Sequence, residues 1–81
     1  MDTIKKYLLP TNKQLGMRIR YLRKQKKWSI EFLALEAGIH PNYLGDLERG
    51  QRNPTLDVLA KISVALNIRL EEMFKGIEVY Y

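Results

Sequence analysis

Ser29 to Thr55 reads SIEFLALEAGIHPNYLGDLERGQRNPT, and the punctuation of this stretch decides the fold. Two short runs with helical spacing flank Ala37-Gly38-Ile39. A chain that leaves one helix and enters another at a steep angle needs a residue tolerant of positive φ at the corner. Glycine supplies it because it has no Cβ to clash. In the first run Phe32, Leu33 and Ala37 take apolar positions, with Ala34 as a small packing spacer. Ser29 stands just before it, where a short oxygen side chain satisfies an orphan N–H. In the second run Leu44 and Leu47 turn inward, while Asn42, Tyr43 and Asp46 face outward. Pro41 suits its first helical position, because its φ is preset and its missing N–H would be unpaired anyway. Gly50, Asn53 and Pro54 stop the run. Two short helices, a glycine turn and a basic exit loop make a helix-turn-helix pattern.

Outward from this centre the periodicity continues. Leu15, Ile19 and Leu22 fall at i, i+4 and i+7, one buried stripe on a helix expected from Asn12 or Lys13 to Lys26. Arg18, Arg20, Lys24 and Lys27 lie mainly on its other faces. Trp28 is placed to pack as a staple before the next helix rather than to stack on a base. Thr55 caps a further helix whose inward face is Leu56, Leu59, Ile62, Ser63 and Leu66, and Asp57 favours its dipole. A last helix over Leu70 to Lys75 brings Met73 and Phe74 to close the core. Ile77-Glu78-Val79-Tyr80-Tyr81 is β-prone. Before the domain, Ile4, Tyr7 and Leu8 share a helical spacing that Pro10 stops. That segment is either a short helix, an arm on a partner subunit or a partly ordered terminus. The organisation expected is an arm over 1–12, a domain over 13–75 and a tail over 76–81 that is a candidate dimerisation strand.

The 81 residues suit one small domain, and 46% hydrophobic content is enough for a single core. There is no cysteine, so disulfides and thiolate metal sites are excluded. His40 stands without ligand-type neighbours at metal spacing, so no metal site is expected. No apolar run reaches membrane-spanning length and no signal peptide is apparent, which points to the cytoplasm and no membrane partner. Lysine and arginine outnumber acids 14 to 9, a formal charge of +5. That suits a polyanionic partner without proving one. We find no nucleophile–base pair, no phosphate-binding glycine loop and no room for a deep pocket, so no enzyme, cofactor or small-molecule ligand is expected.

Leu33-Ala34, Ala37-Gly38-Ile39, Tyr43-Leu44, Leu47-Glu48-Arg49-Gly50 and Arg52-Asn53-Pro54 occur in the order and spacing of a known family. The chain resembles the Cro and lambda-repressor type of helix-turn-helix domain, the XRE family, from about Leu15 to about Phe74. The resemblance implies an all-α fold: a compact five-helix lambda-repressor-like domain that binds double-stranded DNA. It implies that Arg23 pairs with Glu48 and so fixes the tilt of the DNA-reading helix. It implies base-reading positions at Pro41, Asn42, Tyr43 and Asp46. Asn42 suits two hydrogen bonds to adenine, and Asp46 suits the cytosine amino group. Pro41 or the Tyr43 ring could touch a thymine methyl, or Tyr43 packs and sends its hydroxyl to a phosphate. Arg49, Gln51, Arg52 and Asn53 of the exit loop are the implied phosphate donors, which position the protein without reading sequence. The chain departs from the family at Ile30, where a phosphate-binding glutamine is common, and at Arg69, where a Ser or Thr cap is usual.

The expectation is therefore a small prokaryotic or phage transcriptional regulator, similar in scale to restriction–modification controller proteins and small phage repressors. It would act as a homodimer on a palindromic operator, because one recognition helix covers few base pairs. Leu70, Ile77, Val79 and Tyr80 are the candidate dimer surface, with Ile4 and Leu8 as additions. The rival is a protein-interaction module on the same fold, such as an antitoxin, which Ile30 and Asp46 would favour.

Overall fold

The computed structural model describes residues 9–79. Expectations for Ile4, Tyr7, Leu8 and Tyr80 lie outside the described residues. Four α-helices and a closing 3-10 helix follow one another: α1 Thr11–Gln25, α2 Ile30–Ala37, α3 Pro41–Glu48, α4 Leu56–Leu66 and the 3-10 helix Leu70–Phe74. The last element is thus a tight 3-10 turn rather than a fifth α-helix. Arg69 at its cap position makes no side-chain cap bond, so nothing extends so short a piece into an α-helix.

Local chemistry sets the boundaries. The Ser29 hydroxyl accepts from the Phe32 N–H at 3.0 Å, and the Thr55 hydroxyl accepts from the Val58 N–H at 3.2 Å. His40 caps α3 through Nδ1, which accepts from the Asn42 N–H at 3.0 Å. The helix ends repeat one device. After α1, α2 and α4 a residue turns left-handed, at Lys27 (φ 59°), Gly38 (φ 70°) and Asn67 (φ 56°). The next N–H then reaches back to a carbonyl of the last turn, Trp28 to Arg23, Ile39 to Ala34 and Ile68 to Ser63. These bonds satisfy carbonyls that the helices leave open. Gly50 (φ 77°) repeats the device after α3, where the Gln51 N–H reaches the Asp46 carbonyl at 2.9 Å, so two of these four corners use glycine. The other two adopt positive φ on side chains that tolerate it less easily.

α1 packs on α3, α4 packs on α2, and α2 and α3 pack on each other, while the 3-10 helix leans on α1 and α4. The core between them holds Ile19, Leu33, Leu44, Leu47, Ile62, Leu66 and Met73, all essentially free of solvent. Leu15, Ala34, Ala37 and Leu59 complete it. Leu22, Trp28 and Tyr43 are half-buried against its edge.

Two apolar expectations fail. Leu56, assigned to the inward face of α4, is 67% exposed. It is the first residue of α4, so its side chain projects beyond the α2 contact. Phe74 stays 40% exposed, while Met73 and half-buried Leu70 of the same 3-10 helix take the core side. Phe32 is also exposed, and its ring meets Trp28 edge-on, with centroids 4.8 Å apart. The β-prone tail forms no strand among the described residues. A single segment without a partner cannot hold one. Instead Gln14 clasps it: the Glu78 N–H donates to the Gln14 Oε1 at 2.9 Å, and Gln14 Nε2 donates to the Glu78 and Leu9 carbonyls.

Candidate nucleic-acid interface

The outer face of α3 and the loop after it form one polar surface, and α1 holds that surface from behind. Arg23 and Glu48 lie together in the interior, 6% and 5% exposed. The guanidinium meets the carboxylate side-on. Nε donates to Oε2 at 2.8 Å and Nη2 donates to Oε1 at 2.9 Å. Its third contact is from Nη1 to the Trp28 carbonyl at 2.8 Å. The hydrogen bond to Glu48 raises the Arg23 pKa above its usual value against the opposing effect of burial. A bidentate pair of this kind fixes relative orientation as well as distance. It ties the last residue of α3 to the last turn of α1 and to the α1–α2 corner.

Two further contacts, invisible as motifs, lock the same helices. Gly16 on α1 faces the end of α3 so closely that a Cβ there would fall 2.4 Å from the Leu47 carbonyl oxygen and 2.5 Å from that of Glu48. Gly50 combines φ 77° with an approach to Lys13 in which its own Cβ would meet the Lys13 Cα at 2.7 Å. Asn12 Nδ2 donates to the Gly50 carbonyl at 2.6 Å. The sequence signals are Gly50 itself, legible as a stop within the Leu47-Glu48-Arg49-Gly50 motif, and a glycine one turn inside α1, where propensity disfavours it.

The implied base-reading residues divide in two. Asn42 is exposed, with Pro41 beside it half-buried. Tyr43 is half-buried against the core, and Arg52 stacks over its ring at 5.7 Å. Asp46 has both carboxylate oxygens engaged. Oδ1 accepts from Arg49 Nη2 at 2.7 Å, and Oδ2 accepts from Arg52 Nη2 at 3.3 Å. The hydrogen bond from Arg49 holds the Asp46 carboxyl below the usual carboxylate range, with Arg52 adding to it and partial desolvation opposing it. Arg49 and Arg52, implied as phosphate donors, therefore meet at one carboxylate. Gln51 and Asn53 are exposed beside them. Ile30 and Glu31 of α2 face Pro41, Asn42, Gly45, Asp46 and Arg49 across a shallow polar concavity.

Of the candidate dimer residues, Leu70, Ile77 and Val79 fall among those described. Leu70 and Ile77 are half-buried against the core, whereas Val79 is 48% exposed. Among the described residues, no His, Cys, Asp or Glu group is arranged to hold a metal ion, and no helix is long and apolar enough to cross a membrane.

Helices held at this angle, with the outer one presenting side chains along its length, define a helix-turn-helix protein. The helix-turn-helix family model matches residues 19–73, and the chain belongs to that family. Among curated proteins it is 40% identical over 68 residues to the HTH-type transcriptional regulator SlrR of Bacillus subtilis, covering 83% of this chain and 45% of that regulator. It is 41% identical over 59 residues to the control protein C.BamHI of Bacillus amyloliquefaciens, covering 72% of this chain and 73% of that protein. Among solved structures, the restriction-modification controller protein C.AhdI from Aeromonas hydrophila superposes with a TM-score of 0.77 at 41% identity. The match covers 78% of this chain and 96% of that one. The chain spans about half the length of some of its relatives, as with SlrR, and most of the length of the controller proteins.

Proposed function

We propose that this chain is a transcriptional regulator that binds duplex DNA in a sequence-specific way, two copies together, each reading one half-site. The observation that carries this is the α3 surface. Exposed Asn42 leads a helix whose far end is locked by the buried Arg23–Glu48 pair, and a loop of donor side chains follows directly. A polar helix face on a rigid support is what major-groove reading requires, and loop donors beside it suit the phosphate strand. The kinship with regulators and controller proteins points the same way. In this reading Pro41, Asn42 and Tyr43 approach bases, while Gln51, Arg52 and Asn53 approach phosphates. Two copies are needed because one helix covers too few base pairs to single out an operator, and the Val79 end is the candidate contact between them. The reading assigns the chain no catalytic step and places it in the cytoplasm, with the chromosome.

Selection of bound duplexes from a random pool, repeated at several salt concentrations, tests the proposal. The expected product is a two-fold repeated half-site with centres about 34–36 Å apart, one turn of DNA. Affinity should fall steeply with salt as counterions are released. A pool that shows no enriched sequence refutes it.

A further inference from the structure

We propose that Arg49 is a base-reading residue that selects guanine, and that Asp46 is the positioning residue that aims it. The inference rests on the duplex-DNA reading above and assigns one specificity element within it.

The placement of Arg49 begins with a residue that has no side chain. Arg49 follows the last turn of α3, and its guanidinium folds back along the helix instead of reaching outward. Its Nη1 lies only 3.3 Å, and its Nη2 3.5 Å, from where a Cβ on Gly45 would be. Gly45 therefore leaves the slot that the guanidinium occupies. Asp46, the next residue, fixes it there through the 2.7 Å bond from Nη2. Gln51 Oε1 lies 3.5 Å from Nε, a weak third restraint. Nη1 and the second proton of Nη2 make no hydrogen bond within the described residues, and the side chain is 58% exposed. These donors border the concavity that Asn42 and Glu31 also line. Asn42, Gly45 and Arg49 share one face of α3 at i, i+3 and i+7, so the guanidinium stands in line with the exposed asparagine.

Electrostatics separates a base from a phosphate here. A phosphate oxygen approaching Arg49 would also approach Glu31 and the Asp46 carboxylate that Arg49 and Arg52 share, which weakens the attraction of Arg49 for it. The O6/N7 edge of guanine is neutral overall and offers two acceptors side by side, which is the pattern a guanidinium fork matches. An arginine already held by a carboxylate also loses less freedom on docking. Asp46 already accepts from Arg49 on Oδ1 and from Arg52 on Oδ2, so a cytosine amino group would have to share an oxygen with one of them. The Arg52 contact is the longer of the two and its guanidinium also covers Tyr43. Arg52 can therefore leave for a phosphate while Arg49 stays aimed.

The test uses the site selected by the full chain and a panel of duplexes in which each base pair of that site is replaced in turn. Arg49→Lys keeps the charge and removes the fork; it changes an exposed side chain, so folding is not in question and circular dichroism confirms it. The wild-type chain should prefer G·C at one position per half-site, and Arg49→Lys should lose about 5- to 150-fold of that discrimination. Its affinity for random duplex should move by no more than about twofold. Gly45→Ala removes no atom that could touch DNA but refills the slot, and it should weaken the preference at the same base pair. Asp46→Ala should do so too. Uniform weakening by Arg49→Lys across the panel would make Arg49 a phosphate contact and overturn the inference. Relaxation by Asp46→Ala at a different base pair would make Asp46 the reader and overturn it equally. A wild-type chain without any sequence preference would refute the duplex-reading proposal, and this inference with it. A wild-type preference that all three variants retain refutes this inference alone.

Discussion

Replacing Gly16 by alanine sets two effects of opposite sign against each other. Gly16 lies inside α1, where alanine is intrinsically better by about 0.8–1.0 kcal/mol. On propensity alone Gly16→Ala stabilises. The packing says otherwise: the new Cβ would lie 2.4 Å from the Leu47 carbonyl oxygen, 2.5 Å from the Glu48 oxygen and 2.8 Å from the Glu48 carbonyl carbon. A relaxed carbon–oxygen approach is about 3.3 Å or more, so α1 and the end of α3 must separate by about 1 Å. Both obstacles are backbone, so no side chain can rotate away. Separation would also stretch the Arg23–Glu48 bonds, now 2.8 and 2.9 Å, and loosen Ile19 from Leu44 and Leu47.

Overpacking costs about 1–3 kcal/mol, and more where the backbone must move. Because the obstacle here is backbone, the cost belongs at the upper end of that range, about 3 kcal/mol, and the clash should win by about 2 kcal/mol net. In a domain of this size that lowers Tm by roughly 8–16 °C. Gly45→Ala is the control. Its Cβ would meet only the end of the Arg49 side chain, at 3.3 Å, which can swing aside. The propensity gain then stands, and Tm should rise by about 2–8 °C. Both substitutions reduce unfolded-chain freedom alike, so comparing them cancels that contribution. Thermal melts by circular dichroism decide it. A Gly16→Ala chain that melts at or above the parent would refute the close approach of α1 to α3.

Arg23→Met leaves the Glu48 carboxylate buried and unpartnered, which should cost about 3–5 kcal/mol in urea unfolding, whereas adding Glu48→Leu should restore much of it. A loss under about 1 kcal/mol from the single change would mean the pair is not desolvated. Because the folded Asp46 carboxyl titrates below its unfolded value, its stabilising effect is present above the unfolded pKa and lost as pH falls through the folded one. Carboxyl NMR should give a midpoint below the ordinary value of about 3.9, and Arg49→Ala should move it upward; a midpoint at or above that value contradicts the Asp46–Arg49 contact. Arg52→Ala should weaken binding to all duplexes alike and make the salt slope shallower by about one unit, and a changed preference at a single base pair would place Arg52 among the readers instead.

Periodicity made the helices, the turn and most of the core legible. Leu15, Ile19, Leu33, Leu44, Leu47, Leu59, Ile62 and Leu66 repeat with the helical period, and each is buried. What stayed hidden depends on distances between helices. The spacing of Leu56 suits an inward face, but whether the first residue of a helix meets a neighbour depends on where that neighbour ends. The contacts of Gly16 and Gly50 follow from how near two backbones pass, which no single-residue preference encodes. The roles of Asp46 and Arg49 were obscured for a related reason. Assigned one by one, each takes the nucleic-acid partner its chemistry suits, yet the fold gives them first to each other. The Arg23–Glu48 proximity was readable only through the family resemblance, since the two lie 25 positions apart.

These contacts share one direction. Asn12 and Lys13 grip Gly50, Gly16 abuts Leu47 and Glu48, and Arg23 binds Glu48. Every one of them holds the C-terminal end of α3 or the turn after it. Among the described residues none holds Pro41 or Asn42, and that end of the helix is fixed by its own cap and by the packing of Leu44 and half-buried Tyr43 on the core. α3 is thus tied by polar and close backbone contacts at the end that meets the loop, and by its cap and apolar packing at the end that would enter a groove. A tilt imposed at one end of a rod displaces the other. Changes on α1, remote from Asn42, should therefore alter how α3 presents its side chains before they alter the fold. The close glycine contacts and the buried ion pair act on the same end of α3. This is the mechanical reason for so much of the chain's chemistry to be spent on a helix face that touches only protein.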